Sequence, residues 1–181
     1  MRIGVLALQG AFVEHEQVLR RLGAEVFEIR SLGDWLRPKD GLVLPGGEST
    51  VQGRLLRQTG LFEPMRREIA AGLPTLGTCA GLILLSPLHF GTMSMQVRRN
   101  AYGRQLGSFH TLGSVKGVGE DVPMTFIRAP YIESLLSPQA EALAWVGGRI
   151  VAARQGRQLV TAFHPELDND LRLHSHFLAT L

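Results

Sequence analysis

Short runs of apolar residues, separated by amphipathic stretches, fix the class of fold open to this chain. Ile3-Gly4-Val5-Leu6-Ala7-Leu8 and Gly41-Leu42-Val43-Leu44 carry no polar side chain, and Thr75-Leu76-Gly77-Thr78 leads into the lone cysteine. A strand apolar at consecutive positions is buried on both faces, so it needs a helical layer on each side, which is the condition of a mostly parallel sheet. The intervening segments supply those layers. Phe12 to Leu22 places Val18, Leu19 and Leu22 on one face and stops at Gly23. Ala24 to Ile29 is rich in β formers and predicts a further strand. Ser49-Thr50-Val51-Gln52 has the spacing of a capping box and predicts a helix start. Leu61 to Ala71 predicts another helix, with Pro64 tolerated in its first turn and Gly72 just beyond its end. Ala80 to Leu85 has helical character until Pro87. Strands alternating with helices imply an α/β fold, a mostly parallel, flavodoxin-like sheet flanked by helices.

From about Thr92 the texture becomes β-rich. Thr92 to Arg98, Ser108 to Val115 and Pro123 to Ile127 read as short strands. Ala142 to Val146 and Ile150 to Ala153 read as a hairpin about Gly147-Gly148. Gln158 to Phe163 predicts a strand and Asn169 to Leu181 a closing helix. The 181 residues contain no internal repeat, low-complexity tract or linker, so one domain over 1–181 is expected. No apolar stretch approaches the ~20 residues that cross a bilayer, and the N-terminal run is too short for a signal peptide, so no membrane association is expected. A lone cysteine excludes an internal disulfide and a multi-cysteine metal site, and favours a reducing, cytoplasmic compartment. Lys and Arg number 19 against 16 Asp and Glu, but the basic residues are scattered in pairs such as Arg20-Arg21 and Arg66-Arg67, with no basic run interleaved with aromatics. Nucleic acid is therefore not an expected partner.

The lone thiol lies in Gly77-Thr78-Cys79-Ala80-Gly81. Glycines two residues before and after a nucleophile, between a strand and a helix, are what a sharp elbow requires, because side chains there would clash as the backbone reverses. Such a thiol projects from the carboxyl edge of the sheet at a helix N-terminus, and the Ala80 N–H is placed to meet an oxyanion. Taken alone, the pentapeptide suits either a catalytic or a buried structural cysteine. Phe163-His164-Pro165-Glu166 follows a predicted strand, and residues two apart in an extended segment share a face. Glu166 can then hold the tautomer of His164, completing a Cys79, His164, Glu166 set of nucleophile, base and orienter. Pro45-Gly46-Gly47-Glu48-Ser49-Thr50 turns backbone N–H groups toward a bound anion, with Gly47 the candidate second oxyanion donor. Ser49 lacks the Gly-x-Ser-x-Gly context of a serine nucleophile. His15, His89 and His110 show no metal-ligand spacing, and His174 and His176 diverge on a helix, so no metal site and no cofactor are expected. Dinucleotide and NTP fingerprints are likewise missing.

These residues resemble the class I, triad-type glutamine amidotransferases, and more closely the glutaminase subunits of pyridoxal 5'-phosphate synthases. The likeness covers Gly4-Val5-Leu6-Ala7-Leu8-Gln9-Gly10-Ala11 with Glu14-His15, Leu44 to Thr50, Gly77 to Leu82, Arg99 to Gln105, Phe126-Ile127-Arg128-Ala129-Pro130, and Phe163 to Leu167. The resemblance implies that Cys79 attacks the side-chain amide of L-glutamine, that His164 protonates the departing ammonia, and that Glu166 orients it. It implies a glutamine site lined by Gly47, Glu48, Ser49, Arg99, Ile127 and Arg128. It further implies a partner, a (β/α)8-barrel synthase subunit in a large hetero-oligomer that uses the ammonia to make the vitamin B6 cofactor, with weak activity until that partner docks.

Overall fold

A computed structural model describes residues 1–99 and 108–181. Eleven strands and six α-helices alternate early and give way to strands later: β1 (Arg2–Leu6), α1 (Phe12–Arg21), β2 (Glu25–Ile29), α2 (Leu32–Trp35), β3 (Gly41–Leu44), α3 (Ser49–Gln58), α4 (Phe62–Ala70), β4 (Thr75–Thr78), α5 (Ala80–Leu85), β5 (Met95–Arg98), β6 (Ser108–Val115), β7 (Gly119–Ile127), β8 (Tyr131–Leu135), β9 (Ala140–Val146), β10 (Arg149–Gln155), β11 (Gln158–Thr161) and α6 (Arg172–Leu178) among the described residues. The main sheet runs β2-β1-β3-β4-β11-β10-β8-β5, with β9 also paired to β10. Its β2-β1-β3-β4-β11 part is parallel, in the flavodoxin-like order, and the rest is antiparallel. β6 and β7 form a separate antiparallel pair.

The apolar runs behave as expected of doubly covered strands. Every residue of β3, β4 and β11 is buried. α1 buries Val18 and Leu19 against the sheet, with Glu14 in its first turn and Arg20 and Arg21 in its last, each complementing the helix dipole. One apolar cluster extends from Ile3 to Leu178 and includes Met124 and Phe126 of β7. Phe126 stacks on Phe109 with centroids 4.5 Å apart and meets Phe163 edge-on at 5.8 Å, so the separate hairpin is anchored to the segment after β11. Each such ring pair contributes about 0.5–1.5 kcal/mol beyond area burial.

Several boundaries differ from the sequence expectation, for local reasons. Helix α3 is capped by Glu48 rather than by a Ser49 capping box. The Glu48 carboxylate accepts from the N–H groups of Thr50 and Val51 at 3.0 and 2.9 Å, and Ser49 is the first helical residue, buried. A full negative charge at the positive end of the helix outcompetes a hydroxyl. The capping box occurs instead at Ser31 and Asp34, starting α2, which the hydrophobic pattern did not indicate. Strand β8 was also unanticipated; it joins β5 to β10. The last helix begins at Arg172 rather than Asn169, because Asp170 turns the chain and its carboxylate accepts the Arg172 N–H at 2.8 Å. Among the described residues no helix is long and apolar enough to cross a membrane.

Candidate active site

Parallel pairing of β4 with β11 sets Thr78 beside Thr161 at the carboxyl edge of the sheet. The next residue on one side is Cys79, whose N–H donates to the Thr161 carbonyl at 2.8 Å. His164 follows three positions beyond Thr161 on the other. Two segments distant in sequence thus reach the same edge because their strands are neighbours.

Cys79 has φ +50° and ψ −101°, a left-handed conformation that costs a non-glycine residue about 1–3 kcal/mol and persists only where the surroundings enforce it. The flanking glycines are part of that enforcement. A Cβ on Gly77 would lie 2.8 Å from the Gly81 carbonyl carbon, and one on Gly81 would lie 2.0 Å from the Leu44 carbonyl oxygen. The elbow therefore packs backbone on backbone, which explains the spacing read from the sequence. Ala80 opens α5 directly after the thiol.

His164 Nδ1 lies 2.7 Å from Glu166 Oε1, and the Glu166 side chain has no exposed surface. The backbone of His164 is fixed from β7, since its N–H donates to the Thr125 carbonyl at 2.8 Å. Burial alone would push the imidazole down, but hydrogen bonds to Cys79 and Glu166, with their charges, raise His164 to about 10. For Glu166 burial pushes upward, yet the facing His15 and the hydrogen bond from His164 leave the carboxyl below its ordinary range. The resting arrangement is thus the Cys79 side chain against an imidazolium that is held by a carboxylate. A Cβ on Gly46 would stand 2.3 Å from His164 Cε1, so only glycine leaves room for the ring.

These groups open into a cleft of about 480 Å³. Its walls include Cys79, Ala80 and His164, together with Gly47, Glu48, Ser49, Arg99, Ile127 and Arg128, so the residues expected to line a glutamine site do share one cavity. Glu166 lies behind His164, outside the lining. Arg99 donates to Thr50 Oγ1 at 3.2 Å. The Asn100 to Gln105 part of its motif falls outside the described residues. Glu48 keeps its carboxyl below the usual range chiefly through the Thr50 backbone N–H, so it presents a negative charge at the rim. In the loop after β3, the Gly46 N–H donates to Thr78 Oγ1 at 3.1 Å and the Glu48 N–H to Gln9 Oε1 at 2.8 Å. The Gly47 N–H between them meets no acceptor among the described residues. Gln9 also lines the cleft, a contributor that the sequence reading did not single out.

Two of the other histidines, distant in sequence, meet in the fold although their spacing does not show it. His15 Nδ1 lies 2.9 Å from His174 Nε2, and His15 Nε2 lies 3.0 Å from Thr78 Oγ1 and 3.4 Å from Glu166 Oε2. Both imidazoles are fully buried. A signal was present in the pattern: His15 falls on the buried stripe of α1 with Val18 and Leu19, and His174 sits beside Leu173 on that of α6. No three-ligand metal cluster occurs among the described residues.

Comparison with known proteins identifies the family. The pyridoxal 5'-phosphate synthase subunit PdxT of Desulfitobacterium hafniense (strain DSM 10664 / DCB-2) is 54% identical over 188 residues, covering 100% of this chain and 94% of that protein. The PdxT subunit of Streptococcus pneumoniae (strain ATCC 700669 / Spain 23F-1) is 53% identical, covering 98% of this chain and 96% of that one. A crystal structure of a glutamine amidotransferase superposes with a TM-score of 0.91 at 42% identity, covering 98% of this chain and 97% of its own. The family model for SNO glutamine amidotransferases matches residues 5–181, and the chain belongs to that family.

Proposed function

We propose that this chain, acting as one domain over residues 1–181, hydrolyses L-glutamine to L-glutamate and ammonia and passes the ammonia to a pyridoxal 5'-phosphate synthase partner. The observation that carries the reading is the buried His164–Glu166 contact of 2.7 Å behind a thiol held at a left-handed elbow in an open cleft. In the reaction, the His164 imidazolium already holds the proton it shares with Cys79, and the sulfur, freed of that proton, attacks the amide carbon of glutamine. The tetrahedral oxyanion is met by the N–H groups of Ala80 and Gly47. His164 then returns its proton to the leaving ammonia, which leaves a thioester. Water attacks that thioester with His164 as base, and glutamate departs as the free sulfur and the His164 imidazolium are restored. Glu166 keeps Nδ1 protonated throughout, so Nε2 faces the sulfur.

In the cleft, Arg99 and Arg128 suit the α-carboxylate of glutamine, because a guanidinium makes a bidentate charge-assisted contact. The ionised Glu48 suits the α-ammonium, while Gly47, Ser49 and Ile127 border the same space. No metal or cofactor takes part in these steps. The names of the relatives favour a synthase that makes pyridoxal 5'-phosphate over one from another ammonia-using route. We take the partner to be a (β/α)8-barrel subunit in a large hetero-oligomer, and the compartment to be the cytoplasm, as the lone free thiol suits a reducing medium.

The test mixes the purified chain with its synthase and glutamine and measures ammonia. Release that rises on adding synthase and vanishes in Cys79→Ala is expected. Release that persists in that variant refutes the nucleophile, and co-purification with a different synthase refutes the partner.

A further inference from the structure

The chemistry above uses one face of Glu166. The other carboxylate oxygen points away from the cleft toward α1, where His15 Nε2 stands 3.4 Å from it. That nitrogen also lies 3.0 Å from Thr78 Oγ1, the hydroxyl that accepts the Gly46 N–H at 3.1 Å. On its far side His15 Nδ1 is 2.9 Å from His174 Nε2. Two buried imidazoles in series, touching the orienting carboxylate, are costly to keep unless their hydrogen bonds specify something.

The proton positions follow from the charges. A lone pair on His15 Nε2 would face an anionic oxygen, so Nε2 carries the hydrogen; it donates to Thr78 Oγ1 and lies 3.4 Å from Glu166 Oε2, an electrostatic contact to an oxygen that has no hydrogen-bond partner among the described residues. His15 Nδ1 must then accept, and His174 Nε2–H is the donor it meets. This leaves His174 Nδ1, which has no partner among the described residues, as an unpaired acceptor, a cheaper orphan than an unpaired N–H. Burial, the largest influence on each, pushes both imidazoles down, His174 to about 3, so both are neutral. A neutral donor steadies the carboxylate without placing a second cation beside the His164 imidazolium.

We propose that His15, held in one tautomer by His174, is a positioning residue for glutamine hydrolysis. Its N–H is bonded to Thr78 Oγ1 and turned to the charge of Glu166 Oε2, and so relates the carboxylate that orients His164 to the hydroxyl that holds the Gly46 amide of the oxyanion loop. The inference rests on the proposed glutaminase reading. The groups facing Glu166 are His164 from the segment after β11 and His15 from α1, with His174 of α6 behind His15 and Cys79 behind His164.

The test compares His15→Leu, which removes the donor, with His15→Gln, whose side-chain amide can donate from nearly the Nε2 position. In the complex with synthase, His15→Leu is expected to lower kcat about 10–100-fold, the range found when a group that orients a functional ligand is lost, with KM for glutamine changed less than about two-fold. His15→Gln is expected to recover most of that loss. Without the donor, Glu166 protonates more readily, so the acid limb of the kcat/KM profile moves to higher pH in the Leu variant by about half a unit or more and returns in the Gln variant. Alkylation of Cys79 by iodoacetamide, followed against pH on the chain alone, reads the same shift without glutamine or partner.

An unshifted alkylation profile in folded His15→Leu overturns the inference, as does a Gln variant damaged as much as the Leu variant in both rate and melting temperature. If the wild-type complex releases no ammonia, the glutaminase reading fails, while the alkylation profile still decides the role of His15. If His15→Leu does not fold, His174→Leu is read in its place: an acid-limb shift in the same direction supports the tautomer assignment, and an unchanged profile overturns it.

Discussion

Gly46→Ala puts a methyl group where His164 sits. The added Cβ would lie 2.3 Å from His164 Cε1 and 2.9 Å from Nδ1, while its distance to the Cys79 Cβ is an ordinary 3.4 Å. The backbone has little freedom to withdraw, because the Gly46 N–H is held by Thr78 Oγ1 at 3.1 Å and its carbonyl by the Ala11 N–H at 2.9 Å. Relief must come from the imidazole, which has to retreat about 1 Å to reach normal contact, and its retreat strains the 2.7 Å bond to Glu166. A displacement of about 1 Å in a positioned catalytic group costs about 100-fold in rate, equivalent to about 2.7 kcal/mol of transition-state stabilisation. The overpacking itself is expected to cost about 1–3 kcal/mol of stability, small enough for the protein to stay folded at 25 °C. The assay is ammonia release from glutamine in the presence of synthase, with melting followed by circular dichroism on the same samples. A kcat/KM within about three-fold of wild type, in a folded variant, would refute the claim that glycine at this position exists to admit the imidazole.

Two further outcomes are expected. Glu48→Ala removes the side chain that caps α3, and melting should drop by about 2–4 °C, as loss of about 1 kcal/mol does in a chain of this size; an unchanged melting temperature would mean that water replaces the cap without cost. His174 is buried neutral with its pKa pushed down to about 3, chiefly by burial and then by His15, whereas the unfolded chain protonates it near 6.5. Its contribution is therefore complete above 6.5 and is lost as pH falls toward 3, by about 2 kcal/mol at pH 5. Urea unfolding against pH should show that slope, reduced in His174→Leu; equal slopes in both proteins would place the acid sensitivity elsewhere.

What could be read from the sequence was what local spacing encodes. The apolar runs announced β1 and β3 because strands covered on both faces leave no choice of polarity. The elbow was legible because its glycines answer a steric demand confined to five residues, and His164 with Glu166 because an extended backbone sets their relation. The cap on α3 was misread since Ser49 is an ordinary capping residue, and nothing local says that the longer Glu48 carboxylate takes the N–H groups of Thr50 and Val51. β8 is a short segment whose identity depends on finding β5 and β10 on either side. The His15–His174 contact joins residues 159 positions apart, and only the packing of α1 and α6 about the same sheet edge creates it. A histidine on the apolar stripe of each helix was visible, but its partner was not.

The arrangement also explains why the site requires the antiparallel half of the fold. Parallel strands alone can deliver Cys79 and the loop after β3 to one edge, since both follow strands directly. His164 lies beyond the end of β11, where no ladder bond constrains it. Its backbone is held by Thr125 of β7, and the preceding Phe163 packs on Phe126 of the same strand. Its ring is held from the opposite side by Glu166, which His15 of α1 backs. A buried ion pair costs several kcal/mol in desolvation and is retained only where the geometry satisfies both members. Here that geometry is assembled from a hairpin on one side and the first helix on the other. The precision of the imidazole is thus a property of tertiary packing, whereas the placement of the sulfur is a property of one turn.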